Sequence, residues 1–243
     1  MVSLIAEPIF RIGSFPVTNA VLDTIFVDFV LLIFVVALRK NLNLVPNFLQ
    51  NATEGIIKTF YDLTELIAGD RAKKIFPFFM TFFIFILIAN WSELIPGFSS
   101  IHYKGTPLFR SLTSDLNATL AFALISALAT HILSVRVIGF REYLGRFFSL
   151  NPINLFVGVL EIIGEFTKIV SLSFRLFGNI FAGGVVLGII SGIFALIVPL
   201  PFLLLEILVG LVQALIFGML TMVFMSVLTT PHNPEHAKEV RAR

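Results

Sequence analysis

The feature that most constrains this chain is a permanent charge inside a long apolar run. Glu161 to Gly192 (EIIGEFTKIVSLSFRLFGNIFAGGVVLGIISG) is apolar enough for hydrocarbon, yet it carries Glu161, Glu165, Lys168 and Arg175. An ionisable side chain at the bilayer centre costs roughly 2.5–3.5 kcal/mol on insertion scales. A guanidinium cannot relieve that cost by losing its proton, because its pKa lies above ~12. Arg175 therefore needs a carboxylate partner, a watery cavity or both. None of the residues that follow it in this run is acidic, so the partner lies elsewhere in the chain or on another protein.

At about 100° per residue, Glu161, Lys168, Ser171, Arg175 and Asn179 fall within roughly 40° of one line along a helix. That is a polar seam on an apolar rod. Gly184, Gly188 and Gly192 fall on the far side at small-xxx-small spacing, which predicts close approach of another backbone.

The rest of the chain is equally apolar. Of 243 residues, 57% are hydrophobic and 13% charged, against about 25% charged in soluble domains. The expected fold class is an all-α polytopic membrane protein. It would be one membrane domain over 1–243, with about five to six membrane helices. The chain has no cysteine, which excludes disulfides, thiolate metal sites and cysteine nucleophiles. No metal site and no cofactor is expected. Basic residues are scattered between apolar spans, so the net charge of +2 reads as topology signals and not as a nucleic-acid footprint. No HExxH, GxSxG or Walker A pattern occurs, so the chain is not expected to be an enzyme by itself.

Residues 1–17 form a polar-apolar lead, where Glu7 and Pro8 argue against a cleaved signal peptide. A first crossing is predicted over 18–38, followed by Arg39 and Lys40, which mark a cytoplasmic end and an external N-terminus. Asp23 and Asp28 are expected near the outer interface or facing the bundle. Residues 45–74 keep apolar positions at helical spacing, among them Ile56, Phe60 and Ile67, and predict an amphipathic helix on the cytoplasmic surface. Crossings follow over 76–95, ending at NWSELIPG, and over 113–135, opening at Ser114 and Asp115. Asp115 and Asn117 lie where outside water could reach them, and Asp115 is an equally good helix cap. His131 is expected to be an ordinary interior or interfacial histidine.

From Pro152 to residue 192 no further proline interrupts the helical pattern. At about 1.5 Å per residue that is near 60 Å, twice the ~30 Å hydrocarbon core. Such a helix must tilt strongly, bend or lie along the membrane. FALIVPLP makes a turn, and 202–230 returns, so 152–230 is a tilted hairpin and 231–243 a cytoplasmic tail. A hairpin with its midpoint near residue 195 sets Glu206 opposite Gly184 and Gln213 near the level of Arg175. Glu206 and Gln213 are seven apart and share a face. A carboxylate, two amides and a guanidinium around one wet pocket make a plausible proton route, since groups that change protonation are the relays of membrane pumps.

The run SLSFRLFGNIFAGG, with NWSELIPG, SDLNATLAFAL, LEIIGEFTKIVSLSFRLFGN and QALIFGMLT in that order, resembles subunit a, the proton-channel stator subunit of F-type ATP synthases. The resemblance extends over roughly residues 18 to 230. It implies a tilted hairpin packed against a rotating c-subunit ring, with two offset half-channels leading to the contact. Arg175 would be the essential coupling charge. Glu206, Asn179, Gln213, Asp115 and Asn117 would line the outer half-channel, and Glu161 and Ser171 the cytoplasmic one. Further implied partners are the b subunits of the peripheral stalk, the remainder of the F1Fo complex and membrane lipid. The chain would be multi-pass in the cell membrane, N-terminus outside and C-terminus cytoplasmic. Many members of the family carry an acid or histidine where this chain has Gly184, and Glu206 is expected to compensate. A sodium-translocating version of the same subunit is one alternative. A secondary transporter is disfavoured, because no second copy of the arginine segment appears to complete an internal repeat.

Overall fold

The computed structural model describes residues 6–40, 46–95, 101–103, 106–147, 152–193 and 198–230. The tail over 231–243, the Pro96–Gly97 stop and the first half of FALIVPLP lie outside them. Within the described residues five stretches are long and apolar enough to cross a membrane, and the fold is an all-α polytopic one, as expected.

The lead is not featureless. Pro8–Ile12 (β1) and Phe15–Thr18 (β2) pair antiparallel around Gly13, whose φ of 63° suits the turn. Helix α1 follows over Asn19–Lys40. Helix α2 spans Phe48–Ala68. It ends sooner than the pattern over 45–74 predicts, because Gly69 takes a φ of 55° and breaks the chain into a short 3-10 turn. The new helix α3, Ala72–Ser92, contains Pro77 near its start and still runs unbroken. A two-residue pairing of His102–Tyr103 (β3) with Thr106–Pro107 (β4) precedes α4, Leu116–Ile138. Gly139, at φ 88°, closes α4, and the short α5 covers Phe140–Phe147. Helix α6 is one continuous element, Pro152–Ile193, and α7 runs Pro199–Leu228 with proline in its first turn, where the missing N–H costs nothing.

Helix α7 lies antiparallel along α3. Gly218 brings it against the Phe79 ring and Gly210 against Asn90 and Trp91. Helix α6 lies antiparallel along α4, with Thr119 facing Ser173, and α4 runs parallel to α7, with Ser126 bonded to Thr221. Between them sits an aromatic-rich core in which Phe79 stacks on Phe83 and Phe82 meets Phe217. Phe60 and Tyr61 of α2 join it through Phe79 and Phe76. Most of α1 and α6 instead presents apolar side chains outward, from Phe29 and Leu32 to Phe166 and Ile189. Exposed apolar faces of that length suit lipid or a neighbouring protein rather than water.

The bundle has two chemically distinct ends. At one, the end of α3 meets the start of α1 and the turn before α4 through Asp23, and Glu206 and Glu93 meet Gly183 and Gly184 of α6, with Asp115 at the start of α4. At the other, Arg71 bonds the Ser226 carbonyl and the hydroxyls of Thr229 and Thr230, and Arg146 reaches the Val227 carbonyl.

Candidate functional site: an unmatched arginine on the hairpin

Arg175 is exposed on α6. Among the described residues its hydrogen bond is to Ser171 Oγ, donated at 3.4 Å, one turn earlier on the same helix. Among the described residues it forms no ion pair, because the carboxylates of α6 are engaged elsewhere. Arg146 of α5 pairs with Glu161 at 2.5 Å, and Lys168 pairs with Glu165. The predicted seam is therefore divided. Its first half is neutralised within the chain, while the guanidinium stands outward among exposed apolar side chains such as Phe174.

One turn beyond Arg175, Asn179 Nδ2 donates to Gln213 Oε1 at 2.9 Å and ties α6 to α7. Gln213 thus meets Asn179, one turn past Arg175 and so near the expected level. The predicted register is off by one at the other pair. Glu206 faces Gly183, where a Cβ would come within 2.5 Å of its Oε1. Gly184 instead faces Glu93, whose Oε1 would lie 2.8 Å from a Cβ there. The two glycines make room for two carboxylates.

The glycine stripe does not serve as predicted within this chain. Gly184 receives a side chain and not a backbone, Gly188 and Gly192 are exposed, and none of the described residues lies within 4 Å of a Cβ built on Gly192. A close backbone approach is at Gly158, where a Cβ would run into the Phe147 carbonyl. No small-xxx-small pattern on α6 points to it.

Glu206 is buried, and neither of its oxygens has a hydrogen-bond partner among the described residues. Glu93 was missed in the sequence because NWSELIPG reads as a span end. It follows the last residue of α3, and burial first, then the Glu206 charge, push its carboxyl up to about 7. Ser111, Asp23 and Arg110 surround it. Asp23 accepts from Ser92 Oγ at 3.1 Å and from the Leu112 N–H at 2.8 Å, so it faces the bundle, while Asp28 is exposed. Asn90 donates to the Gly210 carbonyl at 3.0 Å and accepts from Thr113 Oγ1 at 2.8 Å. Asp115 caps α4 by accepting from the Asn117 N–H at 2.9 Å, with the Asn117 residue itself exposed.

At the opposite end, His131 is no isolated interior histidine. Its Nε2 lies 3.4 Å from Glu165 and its Nδ1 2.9 Å from the Tyr143 hydroxyl. Among the described residues, the fold is a helical membrane protein with five stretches long and apolar enough to span and an exposed Arg175 on the hairpin without an ion pair. Comparison with known proteins names the family. The chain belongs to the ATP synthase A chain family, whose model matches residues 21–226. It is 34% identical to ATP synthase subunit a of Legionella pneumophila (strain Corby) over 218 residues, 89% of each chain. It is likewise 34% identical to subunit a of Moorella thermoacetica, over 90% of this chain and 94% of that one. A subunit a of Propionigenium modestum described as sodium ion specific is 36% identical, over 87% of this chain and 74% of that one. The chain is thus a non-catalytic subunit of the Fo part of the complex.

Proposed function

We propose that this chain is the proton-translocating stator subunit of its ATP synthase, coupling ion flow to rotation of a c-subunit ring. The observation that carries the proposal is Arg175, a charge that cannot be neutralised by deprotonation, exposed on an apolar helix and forming no ion pair among the described residues. The neighbour that best completes it is a rotor subunit with an acidic side chain at mid-membrane depth. Arg175 would stop that acid from carrying a proton straight across. The α6–α7 hairpin is the rotor-facing surface, and the b subunits hold the chain in the stator.

The outer route leads past Asp115 and Asn117 at its mouth to Glu93 and Glu206, with Asn179 and Gln213 next to Arg175. Gly184 leaves space that the Glu93 carboxylate fills, so Glu93 and Glu206 together supply the titratable groups there. Ser171 and the Glu161 region serve the inner route. Arg71, Lys73, Lys74, Arg136 and Arg141 gather at the inner end of the bundle, which favours a cytoplasmic location for that end and for the C-terminus. Helix α2, polar on one side and ending beside the end of α7, suits the cytoplasmic membrane surface.

The likeness to a sodium-specific relative supports a second reading, in which Na⁺ is the coupling ion. ATP-driven acidification by membrane vesicles carrying the complex distinguishes the two. Pumping at full rate in sodium-free medium is expected. Pumping that requires added Na⁺ and moves it would replace the proton by sodium.

A further inference from the structure

Two acidic groups stand at the basic end of α6, and their partners differ in kind. Glu161 is pinned by Arg146, a guanidinium that cannot release a proton. Glu165 is held by Lys168, His131 and, through His131, Tyr143. Every member of this second group can gain or lose a proton. Lys168 is 7% exposed and lies 4.4 Å from the centre of the Phe224 ring, so its ammonium is anchored in the interior. The four side chains come from three helices and form one row: Lys168 and Glu165 on α6, His131 on α4, Tyr143 on α5.

The row also points toward Arg175. Ser171, which accepts from Arg175, is three residues after Lys168, so successive polar groups sit about one turn apart along one side of α6. From Glu165 the row leaves α6 and ends at Tyr143, on a short helix that is not one of the spans. Burial, then the charges of Glu165 and Glu161, push the Tyr143 phenol up from its ordinary range, so it stays a neutral phenol whose oxygen can accept from Nδ1 while its O–H donates outward.

We propose that the row Lys168–Glu165–His131–Tyr143 is the inner terminus of the ion route, with His131 as its proton relay. This rests on the reading of the chain as a proton-translocating subunit. A proton on Glu165 passes to His131 Nε2 while the Nδ1 proton passes to the Tyr143 oxygen, whose own proton goes to water. The imidazole gains one proton and loses one, so no net charge stays on the ring. The paired Glu161 is an electrostatic fixture of this end and not a carrier.

The test is passive proton conduction through Fo in membrane vesicles stripped of F1, alongside the quantity of assembled chain. His131→Gln is expected to lower conduction on the order of tenfold, with assembly unchanged, because water at this half-buried site replaces a positioned relay only in part. His131→Ala is expected to recover conduction on addition of imidazole, which a purely structural histidine would not do. Parent-level conduction by His131→Gln, or a loss that tracks assembly and ignores imidazole, overturns the relay. If the unmutated Fo conducts no protons, the relay fails together with the proton reading. If it conducts and His131→Gln is indifferent, only the relay fails.

Discussion

Asn179 and Gln213 join the two arms of the hairpin by one amide–amide hydrogen bond of 2.9 Å, one turn from Arg175. That bond settles the level at which α7 crosses the arginine helix. It also leaves Arg175 with Ser171 as its hydrogen-bond partner.

Removing either amide should therefore loosen the hairpin by the worth of one interhelical bond. In membranes such bonds are worth about 1 kcal/mol. A double-mutant cycle of Asn179→Leu and Gln213→Leu, read by thermal unfolding of the detergent-solubilised complex, is expected to return a coupling of about that size. A coupling of zero would mean that the two amides do not hold the arms together.

Three glycines of α6 should respond differently to one added methyl. At Gly183 the Cβ meets the tip of Glu206, which can swing aside. Gly183→Ala is expected to leave assembly nearly normal and slow proton pumping. At Gly158 the Cβ meets the Phe147 backbone, so Gly158→Ala should destabilise the chain by about 1–3 kcal/mol or more. Gly192→Ala, with open space around it, should change neither. Assembled quantity and ATP-driven pumping, measured side by side, separate the three.

Glu93 and Glu206 should titrate as neighbours. Burial and a nearby anion both disfavour the Glu93 carboxylate, which is why it is pushed up to about 7. Asp23 adds a smaller push in the same direction; removing the Glu206 charge deletes the larger of the two anionic causes, so the Glu93 titration must move to lower pH. Infrared difference spectra of the protonated carboxyl band, recorded against pH for the parent and Glu206→Gln, read that shift. A midpoint that stays in place or rises contradicts their proximity.

Asp23 serves as an acceptor for one hydroxyl and one backbone N–H. Asp23→Ala would leave the Leu112 N–H buried without a partner, and hydrogen bonds to charged groups are worth about 1.5–3 kcal/mol. Asp23→Asn keeps an acceptor and should lose less. Thermal unfolding of the complex with each variant gives the comparison.

Much of this architecture is legible in the sequence because hydrocarbon imposes a length and a periodicity on every span. The long apolar helices, among them the single one from Pro152, follow from that, whereas the outward side of Arg175 does not. The hairpin register is legible only to within about a turn, since the loop between α6 and α7 can shift the pairing without altering either pattern. That offset places Glu206 on Gly183 and opens Gly184 to Glu93. Glu93 itself hides in a span end, where a carboxylate looks like an ordinary interfacial residue. His131 and Glu165 lie 34 residues apart in the chain, and nothing local announces their contact. The stripe of Gly184, Gly188 and Gly192 marks available space, and its spacing does not say what fills it: at Gly184 it is the Glu93 side chain.

The measurement that bears most directly on the central claim is ATP-driven proton pumping by the complex carrying Arg175→Ala, with the assembled chain quantified in the same vesicles. Assembly should be intact, because Arg175 contributes one 3.4 Å hydrogen bond and no ion pair among the described residues. Pumping should be abolished. A complex that pumps at the parent rate without this guanidinium would contradict the account.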